Sequence, residues 1–269
     1  MKVLRAMGRA VAAACLLVGL PLAHAVASPF LADKKALPRL LHRKLCDLFN
    51  IKINYKGDPD DGRQKIVVAN HLSSLDGFVM GSRFDGAFVA MADIVHWPVV
   101  GPLAAGIGKG LNTMFIERTK AYLPQAHFKI TRTLNRGESI IFFPESHTKN
   151  GKSRDVGQFK AGLFKILFNE AVDRDNKPLT VERDLLVQPV AIRVIEVAGK
   201  DATTDDAAQA LYCWGDTHGI KHFWNILSCP GMTLEVTALP PLNPKDFSNR
   251  LDLANTAQKM VRHVIIGAP

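Results

Sequence analysis

A β-branched apolar run, Ile66-Val67-Val68-Ala69, stops at Asn70-His71 and gives way to a helical pattern through Leu75, Phe78, Val79 and Met80. The same unit, a short apolar strand with a polar or helix-breaking stop, recurs along the chain. Strand signals cover 51–55, 65–69, 86–91, 111–116, 139–143, 185–194, the neighbourhood of 211–214, and 232–238. Helical patterns cover roughly 121–135, 158–171 and 253–265, with a short apolar helix broken by Gly and Pro near Trp97–Ala105. Pro189 inside one strand signal predicts an edge position or a bulge, and the polar stretch 200–208 reads as a surface loop. Alternation of this kind predicts an α/β fold. We expect a single domain over 51–269, with a mixed, largely parallel sheet flanked by helices. A chain of 269 residues, 47% of them hydrophobic, can bury such a core.

The first stop carries chemistry. His71 and Asp76 are five positions apart across a turn that opens a helix, for which Ser73 or Ser74 offers an N-cap. Folded back, the Asp76 carboxylate can accept a hydrogen bond from one imidazole nitrogen, fixing the tautomer and leaving the other nitrogen to take a proton from a hydroxyl. The same spacing also suits a surface histidine followed by an aspartate in a first helical turn, where negative charge is favourable.

Residues 1–50 differ in character. Lys2, Arg5 and Arg9 precede an uncharged run from Ala10 to Ala32, long enough for a span of ~20 residues. The following segment, 34–49, places Leu37, Leu40, Leu41, Leu45, Leu48 and Phe49 on one helical face, with Lys35, Arg39, Arg43 and Lys44 largely elsewhere. It reads as a basic amphipathic helix suited to anionic lipid. The basic flank favours a cytoplasmic position. We read 1–50 as a membrane anchor on the cytoplasmic face of a bacterial inner membrane. A cleaved secretory signal ending near Ala25 or Ala27 is the second reading, and a helix packed on its own domain is the alternative for 34–49.

The formal charge of +9 calls for an anionic partner, nucleic acid or a membrane surface. No nucleic-acid motif is present, and three Tyr and three Trp give little to stack on bases, so a membrane is favoured. Cys15, Cys46, Cys213 and Cys229 form no C-x-x-C pair and have no ligand spacing with histidines. Reduced, mostly buried thiols are expected, without a zinc site. His218 and His222, four apart, lack a third ligand at a useful spacing and read as surface or core-edge residues.

Four motifs follow in order: Asn70-His71-x-x-x-x-Asp76, then Asn112-Thr113-Met114-Phe115-Ile116-Glu117-Arg118, then Phe142-Phe143-Pro144-Glu145, then Val187-Gln188-Pro189-Val190. Together they resemble the glycerolipid acyltransferases with an HxxxxD motif, in particular bacterial 1-acylglycerol-3-phosphate acyltransferases and lyso-ornithine lipid acyltransferases. The resemblance covers most of the chain and includes Trp97-Pro98-x-x-Gly101, Phe159-Lys160-x-Gly162 and Trp214-Gly215-Asp216.

The resemblance implies that His71 is a general base held by Asp76. It implies that Asn70, Phe115, Glu117, Arg118, Pro144, Glu145, Ser146, Lys160 and Pro189 form the substrate site. Arg118 would bind a head-group anion, since a guanidinium makes a permanently charged, bidentate contact. It implies direct acyl transfer from acyl carrier protein (acyl-ACP) or acyl-CoA to a lysolipid, with no metal or other cofactor. The absence of a G-x-S-x-G elbow agrees with transfer that forms no acyl-enzyme. The sequence departs from the family at Ser146-His147, where Gly-Thr is usual. Glycine there permits a backbone geometry that serine tolerates less well. Lysophosphatidic acid is the first acceptor expected and lyso-ornithine lipid the second. A non-catalytic lipid-binding relative is the reading that the altered turn suggests.

Overall fold

The computed structural model describes residues 1–33, 35–58, 62–91, 113–117, 122–148, 155–215 and 217–267. The short helix expected near Trp97, together with Leu111, Asn112 and Arg118, lies outside them. Eight strands build one sheet: β1 (Ile51–Lys56), β2 (Lys65–Ala69), β3 (Ala87–Met91), β4 (Thr113–Ile116), β5 (Ile140–Phe142), β6 (Leu186–Val197), β7 (Lys200–Asp201) and β8 (Met232–Ala238). Their order is β1-β8-β6-β2-β5-β3-β4, with β7 folded back on β6. The run from β6 to β4 is parallel throughout, and β8 is antiparallel to β6. The mixed, largely parallel sheet is as expected.

Among the described residues seven helices accompany it: α1 (Lys2–Ala27), α2 (Ala36–Leu48), α3 (Asp76–Gly81), α4 (Leu123–Asn135), α5 (Asp206–Tyr212), α6 (Gly219–Ser228) and α7 (Arg250–Ile266). The period of two along the strands divides the core between the faces. Val67 and Ala69 of β2, with Val190 and Ile192 of β6, point to the face that holds α2, α3, α5 and α6. Ile66 and Val68, with Val187 and Ala191, point to the face that holds α4 and α7. Being covered on both sides explains why β2 reads as an unbroken apolar run.

Several expectations are corrected. Pro189 does not mark an edge, because β6 runs inside the sheet between β2 and β8. It does sit at an irregularity: the pairing is Val190–Ala238 on one side and Val187–Leu242 on the other, so the facing segment carries one extra residue. The Pro189 carbonyl accepts the Leu239 N–H at 3.0 Å, and the return bond that the ring nitrogen cannot make is replaced by the Gln188 amide, which donates to the Leu239 carbonyl. A second irregularity in β6 falls between Val194 and Glu196. The helix expected over 158–171 is reduced to a 3-10 turn, Leu163–Leu167. Gly157 N–H goes to Glu145 and Lys160 N–H to the Pro144 carbonyl. The strand expected near 211–214 is replaced by α5, whose Ala-rich start is capped by the Asp205 carboxylate on the N–H groups of Ala207 and Ala208.

Most of the apolar stripe of α2 faces protein, with Leu40 left exposed. Leu41, Leu45 and Phe49 are buried in the core, and His42 packs between Phe78 and Phe88. Gly81 makes this approach possible, since a Cβ there would lie 2.4 Å from the His42 ring. Part of the basic face is likewise turned inward. Arg39 forms a bidentate pair with Asp85 (3.0 and 2.6 Å), and Arg43 donates to the Ser82 carbonyl at the end of α3 (3.1 Å).

The longer helix, α1, lies along α2 and α6. Arg5 donates to the Ser228 carbonyl at 3.0 Å, and Arg9 reaches the carbonyls of Leu227 and Cys229. These two guanidiniums close the C-terminus of α6, where cations are favourable. Ala6 and Ala13 are buried in the contact, whereas Leu4, Met7, Val11, Val18, Leu22 and Val26 form an exposed stripe. Its 26 residues span about 39 Å at ~1.5 Å each, and it is apolar enough to cross a bilayer.

Candidate active site

Parallel strands bring their carboxyl ends to one edge of a sheet, and ligand sites of open α/β sheets lie outside that edge. Here β2, β5 and β4 deliver Asn70-His71, Phe143-Pro144-Glu145 and Glu117 to the same edge, while β6 runs past them. β2 lies between β5 and β6, both of which come later in the chain, so His71 stands where strand order reverses.

The turn after β2 curls around Asp76. Its Oδ2 accepts from His71 Nδ1 (2.8 Å), Leu72 N–H (2.7 Å) and Ser73 N–H (2.9 Å). Its Oδ1 accepts the Tyr212 phenol at 2.6 Å. Asp76 is fully buried, and the carboxylate can only accept, so Nδ1 carries the proton and Nε2 of neutral His71 is the basic atom. The imidazole lies flat on Phe143, with ring centroids 4.1 Å apart and planes 10° from parallel. About a fifth of the His71 side chain (22%) is open to solvent. Among the described residues no hydrogen-bond partner meets Nε2. An imidazole held in this way can take a proton from a hydroxyl placed before it.

Ser73 and Ser74 do not cap α3 as expected; the N-cap position is Leu75, with no side-chain cap. The reason is that Asp76 turns back to collect the orphan N–H groups of the turn. The two serine hydroxyls instead face His222 Nε2, at 3.4 and 3.1 Å. His222 is buried rather than at the surface and stacks on Trp214 (4.9 Å, 12°). Burial pulls its pKa down to about 4, so it is neutral. Trp214 N–H also holds the Leu72 carbonyl at 2.8 Å. Tyr212, Phe143, Trp214 and His222 are thus parts of the site that the motifs left unassigned. Only the Trp214 and Phe143 motifs pointed their way.

The structure places the other anticipated residues as follows. Asn70 turns away from the opening: its amide donates to the Ile192 carbonyl (2.9 Å) and accepts the Ile192 N–H (2.8 Å). The expected substrate contact is therefore a strut between β2 and β6. Glu145 is also turned inward, its carboxylate accepting His71 N–H (2.9 Å) and Gly157 N–H (2.7 Å). It fixes the backbone under the imidazole. Ser146 adopts φ +66°, the left-handed region that glycine enters without penalty. Pro144 is buried and bonds Lys160 N–H at 3.0 Å, leaving the Lys160 side chain exposed beside this turn. Pro189 pairs with Val68 beneath the site. Phe115 and Glu117 lie on the same edge but three strands from β2, about 14 Å at ~4.8 Å per strand. Arg118 is outside the described residues. Among the described residues, no group of three His, Cys, Asp or Glu is placed to hold a metal.

Known proteins resemble this chain over most of its length. The chain is 27% identical over 208 residues to the 1-acyl-sn-glycerol-3-phosphate acyltransferase of Neisseria gonorrhoeae, covering 77% of this chain and 71% of that one. It is 28% identical over 237 residues to the lyso-ornithine lipid O-acyltransferase of Brucella abortus, covering 87% and 84%. Its fold matches the crystal structure of the 1-acyl-sn-glycerophosphate (LPA) acyltransferase PlsC from Thermotoga maritima with a TM-score of 0.63 at 20% identity, covering 98% of this chain and 96% of that one. The model of the Acyltransferase family matches residues 50–193, which include the His71–Asp76 turn, the β4 and β5 ends and most of β6. With more than half of its length inside that match, the chain belongs to the Acyltransferase family and is an acyltransferase.

Proposed function

We propose that this acyltransferase moves a fatty acyl chain from an acyl-ACP or acyl-CoA thioester to the free hydroxyl of a lysolipid. The first acceptor is 1-acylglycerol-3-phosphate, giving phosphatidic acid. The observation that carries this reading is the His71–Asp76 pair, with Nε2 open at the carboxyl edge of the sheet. Nε2 takes the hydroxyl proton as the oxygen attacks the thioester carbonyl. The C–O bond forms, the C–S bond breaks, and the departing thiolate takes the proton back from the imidazolium. The thioester is already activated, so the reading requires no metal.

Head-group binding is assigned to Arg118 and the exposed Lys160, whose charges suit a phosphate. Lyso-ornithine lipid is the second acceptor. The match to the Brucella abortus enzyme, over a larger share of both chains, favours testing it in parallel. The exposed stripe of α1 supports attachment to an anionic membrane, because an apolar helix face of this length has no cover among the described residues. α1 also lies along the domain, so the stripe can enter one leaflet while the sheet edge stays at head-group level. We place the catalytic domain on the cytoplasmic face of a bacterial inner membrane.

The test is acyl transfer in membranes carrying the wild type or His71→Ala, with labelled acyl-ACP or acyl-CoA and each lysolipid. Loss of a positioned base lowers the rate by ~10²–10⁴-fold. Wild-type transfer to one lysolipid that disappears in the variant supports the reading and names the acceptor. Transfer that survives His71→Ala defeats it, and lipid binding without any turnover replaces it with a binding role.

A further inference from the structure

A general base must be neutral to work, and a buried carboxylate beside an imidazole favours the imidazolium. Each neutral donor on the carboxylate draws on its charge and weakens that pull. Asp76 has three such donors. Two are backbone N–H groups, Leu72 and Ser73, supplied by the turn itself. The third is the Tyr212 phenol, 2.6 Å from Oδ1 and brought from 136 residues further along the chain. We propose that Tyr212 is a positioning residue that sets the basicity of His71 through Asp76. The inference rests on the reading of His71 as general base.

The surroundings isolate this contact. Tyr212 is fully buried at the last position of α5, and Trp214, two residues on, pins the catalytic turn through Leu72. Burial, then the negative charge of Asp76, push the phenol well above its usual range, so it donates at every working pH. The titratable groups near His71 and Asp76 come from five elements. They are Asp76 on α3, Glu145 after β5, Tyr212 and Cys213 at the end of α5, Cys46 on α2, and His222 on α6. Burial holds both thiols up at about 12 and His222 down at about 4. These groups are neutral near pH 7, which leaves the two carboxylates. Glu145 faces the His71 backbone rather than its ring. The charge felt by the imidazole from this set is therefore chiefly that of Asp76, and Tyr212 is the one neutral donor to it that a substitution can remove. In its absence Oδ2 is still held by two backbone N–H groups, so the carboxylate stays in place with more charge to offer.

The experiment compares wild type and Tyr212→Phe, which keeps the ring. The profile of kcat/KM against pH is measured with the lysolipid and acyl thioester that the wild type uses. The acidic limb is expected to move up by about 0.5–1 pH unit, a ~3- to 10-fold loss on the acidic side. The acceptor KM should stay within about threefold. A loss of packing alone would lower the rate equally at every pH. An NMR titration of the His71 imidazole, identified by its loss in His71→Ala, should move up with the limb and requires no substrate. Should Tyr212→Phe fail to fold, 3-fluorotyrosine in place of Tyr212 decides, because this stronger donor of similar shape should move both readouts down. An unmoved limb and titration overturn the inference. His71→Ala that keeps full activity overturns the general-base reading instead. The imidazole titration then still judges whether Tyr212 acts on His71.

Discussion

Replacing Asn70 by alanine separates two roles that the sequence could not. The motif places Asn70 beside His71 as a substrate contact, whereas the structure joins both halves of its amide to the backbone of Ile192. Asn70 and Ile192 are both buried, so water does not take over either bond. An unmade hydrogen bond to a buried backbone N–H or C=O costs about 1–3 kcal/mol. Asn70→Ala removes two, which gives about 2–6 kcal/mol, a large share of the ~5–15 kcal/mol that holds a typical domain. Asn70→Asp is a sharper test. Its carboxylate still accepts the Ile192 N–H but sets a second oxygen against the Ile192 carbonyl, so it should be at least as destabilising at pH 7. Urea unfolding in mild detergent, followed by tryptophan fluorescence, reads the loss as a lower midpoint. Acceptor KM, measured well below that midpoint, should change less than about threefold. A wild-type midpoint combined with a tenfold rise in acceptor KM would refute the strut and restore the substrate contact.

Other perturbations follow from single features. Ser146→Gly relieves a left-handed serine, worth about 1–2 kcal/mol, against ~0.4–1 kcal/mol of added chain entropy. The unfolding midpoint should rise by the equivalent of about 0.5–1 kcal/mol, and a fall would show that the Ser146 hydroxyl matters more than its backbone. Acid should unfold the protein partly through His42, whose pKa burial lowers from 6.5 to about 4. Between those values the unfolded chain binds the proton and the folded chain does not, so stability falls as pH drops through this window. At ~1.36 kcal/mol per pH unit the full loss is about 3 kcal/mol. His42→Leu should flatten the dependence of the urea midpoint on pH between 6.5 and 4, and an unchanged slope would remove His42 from the account. Leu4→Gln, Val11→Gln and Val18→Gln together should release the protein from anionic vesicles in a flotation assay while leaving its unfolding midpoint unchanged. Full retention would move the membrane contact away from α1.

What could be read from the sequence was local or periodic. The β-branched apolar runs and their stops at Asn70 and Pro144 located β2 and β5, and β8 was legible over 232–238 in the same way. The His71–Asp76 contact was legible because a turn of five residues has few ways to close. The contacts that complete the site are of another kind. Asn70 meets Ile192 across 122 residues, Tyr212 meets Asp76 across 136, and the serines meet His222 across about 150. No period or spacing encodes such pairs, since each depends on how β6 and the helices after it close over the sheet. The errors have the same origin. Leu211–Trp214 carries a strand-like composition, but the Asp205 cap and the alanines after it start a helix first. Residues 158–162 carry a helical pattern, yet the bonds of Gly157 to Glu145 and of Lys160 to Pro144 tie this segment to the turn after β5.

Amphipathicity was the most instructive signal, because α1 and α2 both report an apolar face that needs cover without saying what covers it. For α2 the cover is protein. Gly81 lets His42 approach, Phe78 and Phe88 receive its ring, and Arg39 and Arg43 clamp the polar side to Asp85 and Ser82. A helix lying on lipid would not need two of its cations fixed by its own domain. α1 divides its surface differently. Small residues, Ala6 and Ala13, let one side press against the domain, and Arg5 and Arg9 fasten that side to the end of α6. Leu16, Leu17 and Leu20 pack on the core from that side, while Leu4, Met7, Val11, Val18, Leu22 and Val26 form a second apolar set on the opposite side, exposed among the described residues. The distinction lies in where the small residues and the paired cations fall. In α2 the buried leucines and the clamped cations serve one interface, and in α1 a second set of bulky residues faces away from it. That division is what a helix needs to bind its own domain with one face and a bilayer with the other. Through α6 and His222, α1 is also joined to the turn that holds His71.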